Sequence, residues 1–133
     1  MIVHFPIALI IVGFIADTLY IFYKQESWLS KMGFFLMILG TLAAGIAILT
    51  GALFTSEPTE GEIVHIYNLH TTGAMITIFI MSLASLARIF VVLKHREERF
   101  KWVSYGLYLL GTAAVSFTGF IGGTMVYGYM LGI

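Results

Sequence analysis

WLSKMGFFLMILGTLAAGIAILTGALFT, residues 28–55, decides the fold. After Lys31 no charged residue occurs before Glu57. A helix needs about 20 apolar residues to cross the hydrocarbon core of a bilayer, and this run exceeds that. Three comparable runs accompany it, roughly Ile2–Tyr23, Ile63–Leu93 and Trp102–Leu131. The 133 residues are 59% hydrophobic and 11% charged, with a mean hydropathy of +0.97. A soluble domain carries roughly a quarter of its residues charged, so lipid must replace water over most of this surface. Little is left over for a soluble domain. Residues 1–133 therefore read as one all-α domain, an integral-membrane four-helix up-and-down bundle.

Three polar breaks separate the runs: residues 24–27, 56–62 and 94–101. The first is short enough to force antiparallel neighbours. The second holds Pro58 and Gly61, both helix breakers. Lys24, Lys31, Lys94, Arg96, Arg99 and Lys101 lie in or within a turn of the first and third breaks, whereas the second carries Glu57, Glu60 and Glu62. The positive-inside rule then places the first and third breaks in the cytoplasm. Both termini and the acidic loop fall outside, on the periplasmic face of a bacterial inner membrane. Seven basic residues balance seven acidic ones, so no excess of positive charge points to a nucleic-acid partner. The absence of cysteine excludes disulfides, iron–sulfur clusters, thiolate zinc sites and covalently attached haem. The N-terminus lacks the basic region and small-residue cleavage pattern of a secretory signal, so the first run is expected to stay in the membrane.

Four histidines stand out in so apolar a chain. His4 opens helix one, followed by Pro6, which the first turn tolerates because its N–H groups lack intrahelical partners. His70 lies about two turns into helix three. Helices one and three run in the same direction, so both imidazoles fall near the outer face. His65 precedes His70 by five positions, which at about 100° per residue turns it about 140° away. His70 is the deeper of the two and the preferred ligand, with His65 the alternative. His95 falls in the basic loop. Neutral imidazole is the commonest metal ligand, and bundle cores are a frequent home for cofactors. The expectation is one haem b with bis-histidine ligation by His4 and His70. No Arg or Lys stands at that face for the propionates, which would rely on Thr55, Ser56, Tyr67, Asn68, Tyr127, backbone N–H groups or water. The other reading is that these histidines are interfacial anchors.

Small residues recur at helical spacing on helix two (Gly33, Gly40, Ala44, Ala47, Gly51) and helix four (Gly111, Ala114, Thr118, Gly122). They allow close helix packing, since lipid gives no hydrophobic drive; equally, Gly51 and Gly122 leave room for a flat cofactor. Tyr127 stands either in an interfacial aromatic belt or as a hydrogen-bond donor to that cofactor, and Met125 is a conceivable soft axial ligand. Asp17 is the one acid inside an apolar run. Arg88 is the one base there apart from Lys31 in a first turn. A buried charge needs a partner, so an Asp17–Arg88 ion pair is expected to fix helices one and three. No nucleophile–base arrangement, paired catalytic carboxylates, phosphate loop or HExxH occurs, and enzymatic hydrolysis finds no support.

Val3-His4-Phe5-Pro6-Ile7-Ala8-Leu9 resembles the opening motif of a family of small bacterial four-helix membrane proteins, H-P-x-H-P-x-x-V-H-F-P-I-A-L. Asp17, Leu49-Thr50-Gly51, His70 with Arg88, and residues 122–128 (GGTMVYG) match further along. The resemblance spans essentially the whole chain, which starts within the opening motif. It implies a four-helix membrane fold and points to His4 and His70, without supplying an activity. The pattern is also b-type-cytochrome-like, by analogy of fold. The expectation that follows is an electron-transfer subunit of a larger respiratory or photosynthetic membrane complex, exchanging electrons with a quinone or a c-type cytochrome. The alternatives are a cofactor-free accessory subunit and an oligomeric permease module.

Overall fold

The computed structural model of the chain describes residues 3–24 and 26–129, the side chains of Glu97 and Glu98 excepted. Ile2, Gln25 and Leu131, at the margins of the apolar runs, lie outside the described residues. Four helices follow in order: α1 (His4–Tyr23), α2 (Ser27–Phe54), α3 (Glu62–Leu93) and α4 (Glu97–Tyr129). Each is long and apolar enough to cross a membrane.

The breaks act through backbone geometry. Lys24 takes the left-handed conformation (φ 49°) and its N–H bonds back to the Tyr20 carbonyl at 2.9 Å, closing α1. Gly61 precedes α3 at φ 87° and ψ 178°, a region essentially reserved for glycine. The third break is shorter as structure than as polarity. It contains neither Pro nor Gly, and Arg, Glu and Lys are good helix formers. Helix α4 therefore starts at Glu97, ahead of the apolar run, and the turn is confined to residues 94–96 around His95 (φ 50°). At 1.5 Å per residue the 32 residues of α3 and 33 of α4 span about 50 Å. A bilayer core is about 30 Å thick, so these helices tilt or project into the interface.

Helix α1 packs chiefly on α2, and α3 on α4; the two hairpins then meet through lighter α1–α4 and α2–α3 contacts. Small residues make the hairpins. A Cβ on Gly13 would lie 2.7 Å from Leu36 Cβ, and one on Gly40 2.7 Å from Ile10 Cγ1. In the other hairpin, a Cβ on Gly73 would lie 2.6 Å from Thr118 Oγ1. Close backbone approach of this kind replaces the hydrophobic drive that lipid cannot give. Between hairpins, polar links add to the apolar contacts. Thr41 and Ser85 hydroxyls meet at 2.9 Å, joining α2 to α3, and the Tyr108 hydroxyl donates to the Ile10 carbonyl at 3.2 Å, joining α4 to α1. Other hydroxyls fold back on their own helix, as Thr112 does to the Tyr108 carbonyl at 2.8 Å.

The outward face of α2 presents Phe35, Leu39, Leu42, Ile46, Leu49 and Leu53, all exposed. A soluble monomer does not tolerate a continuous apolar face of this extent; lipid covers it. Inside, Ile10, Met37, Met81, Ala84, Tyr108 and Val115 form a core cluster near mid-bundle. A cavity opens on either side of that plug.

Candidate functional site

The first cavity, about 260 Å³, lies toward the end that carries the acidic loop. Pro6 and Ile7 come to it from α1, Ala47 and Gly51 from α2, His70 from α3 and Met125 from α4. The four helices thus contribute to one largely apolar space between the hairpins, with Thr55, Glu57 and Tyr67 at its polar edge.

His70 is held rather than loose. Its Nδ1 lies 3.1 Å from the main-chain carbonyl of Thr118 on α4. A carbonyl only accepts, so Nδ1 carries the proton and Nε2 keeps its lone pair. The ring can reach that carbonyl because Gly122, one turn further along α4, has no side chain. A Cβ there would stand 3.0 Å from His70 Cε1 and 3.3 Å from Nδ1. An imidazole whose Nδ1–H is tied to a backbone carbonyl has the orientation and tautomer of a typical metal-ligating histidine. It is equally suited to accept a hydrogen bond at Nε2.

The other residues singled out in the sequence fall elsewhere. The buried stripe of α1 runs through Pro6, Ile10, Gly13 and Asp17. His4 stands two positions from Pro6, about 200° around the helix, and is exposed. It does not line the cavity with His70, whose lining from that turn is Val3 and Pro6. His65 is exposed, and so is Tyr127, at 83%. The structure therefore gathers His70 and Gly51 at the cavity, sets Gly122 against the imidazole, and leaves His4, His65 and Tyr127 on outer surfaces. Met125 is 2% exposed and lines the same cavity as His70. The Thr118 carbonyl carries no sequence signal, since every residue has one. Among the described residues, no group of three or more His, Cys, Asp or Glu is arranged to hold a metal ion.

The second cavity, about 290 Å³, lies at the basic end, and the Asp17–Arg88 pair forms part of its wall. Arg88 donates from Nη2 to Asp17 Oδ1 at 2.9 Å and from Nη1 to Oδ2 at 3.1 Å, a two-pronged arrangement. Nη2 also donates to Ser30 Oγ at 3.1 Å, so three helices meet at one guanidinium. Gly33 makes this possible: a Cβ there would lie 3.1 Å from Asp17 Cβ. The pair ties α1 to α3 across the bundle, where these diagonal helices have few other contacts.

None of the curated proteins and none of the solved structures matches the chain. A family does match, along the entire length. With four membrane-length helices and residues 1–133 all matched, the chain belongs to the family described as Predicted membrane protein (DUF2231).

Proposed function

We propose that this membrane protein holds a lipophilic redox group between its two hairpins at His70, and serves as an electron-transfer subunit of a larger respiratory or photosynthetic complex. The specific group is haem b, with Nε2 of His70 as one axial ligand. The observation that carries the reading is the fixed imidazole. Its Nδ1 is spent on the Thr118 carbonyl and its Nε2 is unspent, beside an apolar cavity. The iron supplies one-electron chemistry; the protein supplies ligation, orientation and a dry surround that sets the potential. We assign the second ligand to Met125, the buried thioether of the lining, ahead of His4, which stands outside the lining. The basic loops support an orientation with the acidic end of the bundle, and with it this cavity, at the periplasmic face of a bacterial inner membrane. A c-type cytochrome is the natural acceptor there, and a quinone the natural donor.

Two features weigh toward a smaller, neutral occupant. At about 260 Å³ the cavity falls just below the ~300–1,000 Å³ of pockets for drug-sized ligands. A macrocycle therefore requires the hairpins to part. Glu57 edges the cavity, and among the described lining residues none is a cation that could pair with propionates. A quinone head meets neither cost, and Nε2 offers it a hydrogen bond in its quinol form. A permease finds least support, since Ile10, Met37, Met81 and Tyr108, all fully buried, close the bundle between the two cavities.

Haem titration into the detergent-purified protein separates these readings. Saturation at one haem per chain, lost in His70→Leu and with an altered spectrum in Met125→Leu, supports haem b and its ligands. Co-purified quinone without haem uptake supports the neutral occupant. Neither group, with His70→Leu assembling normally, leaves a cofactor-free accessory subunit.

A further inference from the structure

The cavity at the basic end carries a surplus of cations, and it is separate from the His70 cavity. Its lining holds three cations, Lys24, Arg88 and Lys101, against a single carboxylate, Asp17. Both oxygens of that carboxylate are already taken by Arg88. Lys24 and Lys101 thus bring two positive charges to a space in which no second carboxylate faces them among the described lining residues. Arg88 spends three N–H groups on Asp17 and Ser30. A guanidinium carries five, so two remain.

A second, separate observation points into the same space. Ser104, on the second turn of α4, lines this cavity and is 0% exposed. Its hydroxyl is the one buried side-chain polar atom among the described residues with no hydrogen-bond partner. Buried polar atoms are nearly always partnered, and an unmade bond of this kind costs about as much as the group's desolvation. Ser104 shares the cavity wall with Lys24 and Lys101, and its hydroxyl has a hydrogen bond left to donate.

We propose that this cavity binds a phosphate group, held by Lys24, Lys101 and the Ser104 hydroxyl. Lysine ammonium groups take phosphate as point charges. Lys24 is itself the left-handed residue that closes α1, and Lys101 stands in the first turns of α4. The Asp17–Arg88–Ser30 cluster forms the rigid floor. A cation meets net repulsion here, and a neutral ligand makes no use of the two ammonium groups. The phosphate comes either from an acidic phospholipid headgroup, for which basic pockets between membrane helices are a known kind of site, or from free phosphate in the adjoining water.

Native mass spectrometry of the full chain in neutral detergent tests this, with phosphatidylglycerol, phosphatidylcholine and inorganic phosphate as probes. Phosphatidylglycerol is expected to bind, and phosphatidylcholine to bind at least tenfold more weakly. Lys24→Gln combined with Lys101→Gln removes both charges while keeping the side chains polar, and is expected to weaken phosphatidylglycerol about tenfold or more, two charge-assisted bonds being lost. Ser104→Ala is expected to weaken it about threefold to tenfold. Lys31→Gln, exposed at the same end but off the cavity, is expected to change little. If inorganic phosphate competes, the site takes the free anion as well; if it does not, the headgroup is the ligand. Either result supports the site. Absence of phosphatidylglycerol and phosphate binding, or losses in Lys31→Gln equal to those in the cavity variants, overturns it by reducing the effect to diffuse surface charge. Thermal unfolding of each variant without ligand identifies any that fail to fold; Ser104→Ala, the mildest change, then carries the test.

Discussion

Asp17→Asn is the most informative single change in the bundle's framework. The Oδ1–Nη2 distance of 2.9 Å corresponds to about 6 kcal/mol of raw attraction at an effective dielectric near 20. Desolvating the two ions costs several kcal/mol each, so the intact pair is nearly balanced. Removing one partner is different. It leaves the Arg88 guanidinium buried without a counter-charge, with only the neutral amide oxygen and Ser30 Oγ to accept from it, and uncompensated buried charge costs about 3–5 kcal/mol. The pair borders the basic-end cavity, which admits water, so the loss belongs at the lower end, about 3 kcal/mol. Asp17→Asn with Arg88→Met removes both charges and is expected to recover most of that loss, leaving a coupling of at least about 2 kcal/mol in the cycle once the Arg88→Met loss is added. Exchange of the two charges is expected to rescue less. Asp17 lies in the slot that Gly33 leaves, which is narrow for a guanidinium. Reversible unfolding of the full chain in mixed micelles, followed by far-UV circular dichroism, gives these energies. A single-mutant loss below about 1 kcal/mol, or a coupling near zero, would refute the reasoning and make the pair an interfacial contact of the kind worth little.

Other changes probe other links. Gly122→Ala places a methyl 3.0 Å from His70 Cε1; it is expected to push the ring off the Thr118 carbonyl and cost about 1–3 kcal/mol, as overpacking does, with the His70 imidazole resonances in NMR reporting the displacement. Tyr108→Phe removes the hydroxyl that links α4 to α1. The Ile10 carbonyl keeps its place in the α1 ladder, so the expected loss in the same unfolding assay is only about 0.5–1 kcal/mol. Gly13→Val is expected to prevent the α1–α2 hairpin from closing, since a Cβ there already meets Leu36 Cβ at 2.7 Å and the Tyr108 hydroxyl; loss of the monodisperse peak in size-exclusion chromatography is the readout.

Much of the framework was legible because membranes impose coarse rules. Four apolar runs of spanning length leave little choice but four helices. A lone acid and a lone deep base, on helices running the same way, have each other as the available partner; the structure pairs them. Other features were hidden for identifiable reasons. The helical start at Glu97 was obscured because polarity marks the edge of the membrane, not the end of a helix. The outward turn of His4 follows from the stripe Pro6–Ile10–Gly13–Asp17, yet a terminal first turn offers too few residues for that phase to be read with assurance. Acceptance of the His70 proton by the Thr118 carbonyl is a main-chain event and leaves no mark in residue type. In the sequence the basic-end cavity shows only as charge asymmetry. Lys24 and Lys101 come from breaks far apart in sequence, and the partnerless state of Ser104 exists only once the helices are packed.

The visible spectrum of the detergent-purified protein, air-oxidised and then dithionite-reduced, tests the central functional claim most directly. A sharp α-band that appears on reduction, at one haem per chain and absent from His70→Leu, is the expected result. A colourless protein after expression with haem precursor, or a haem spectrum unchanged in His70→Leu, contradicts it.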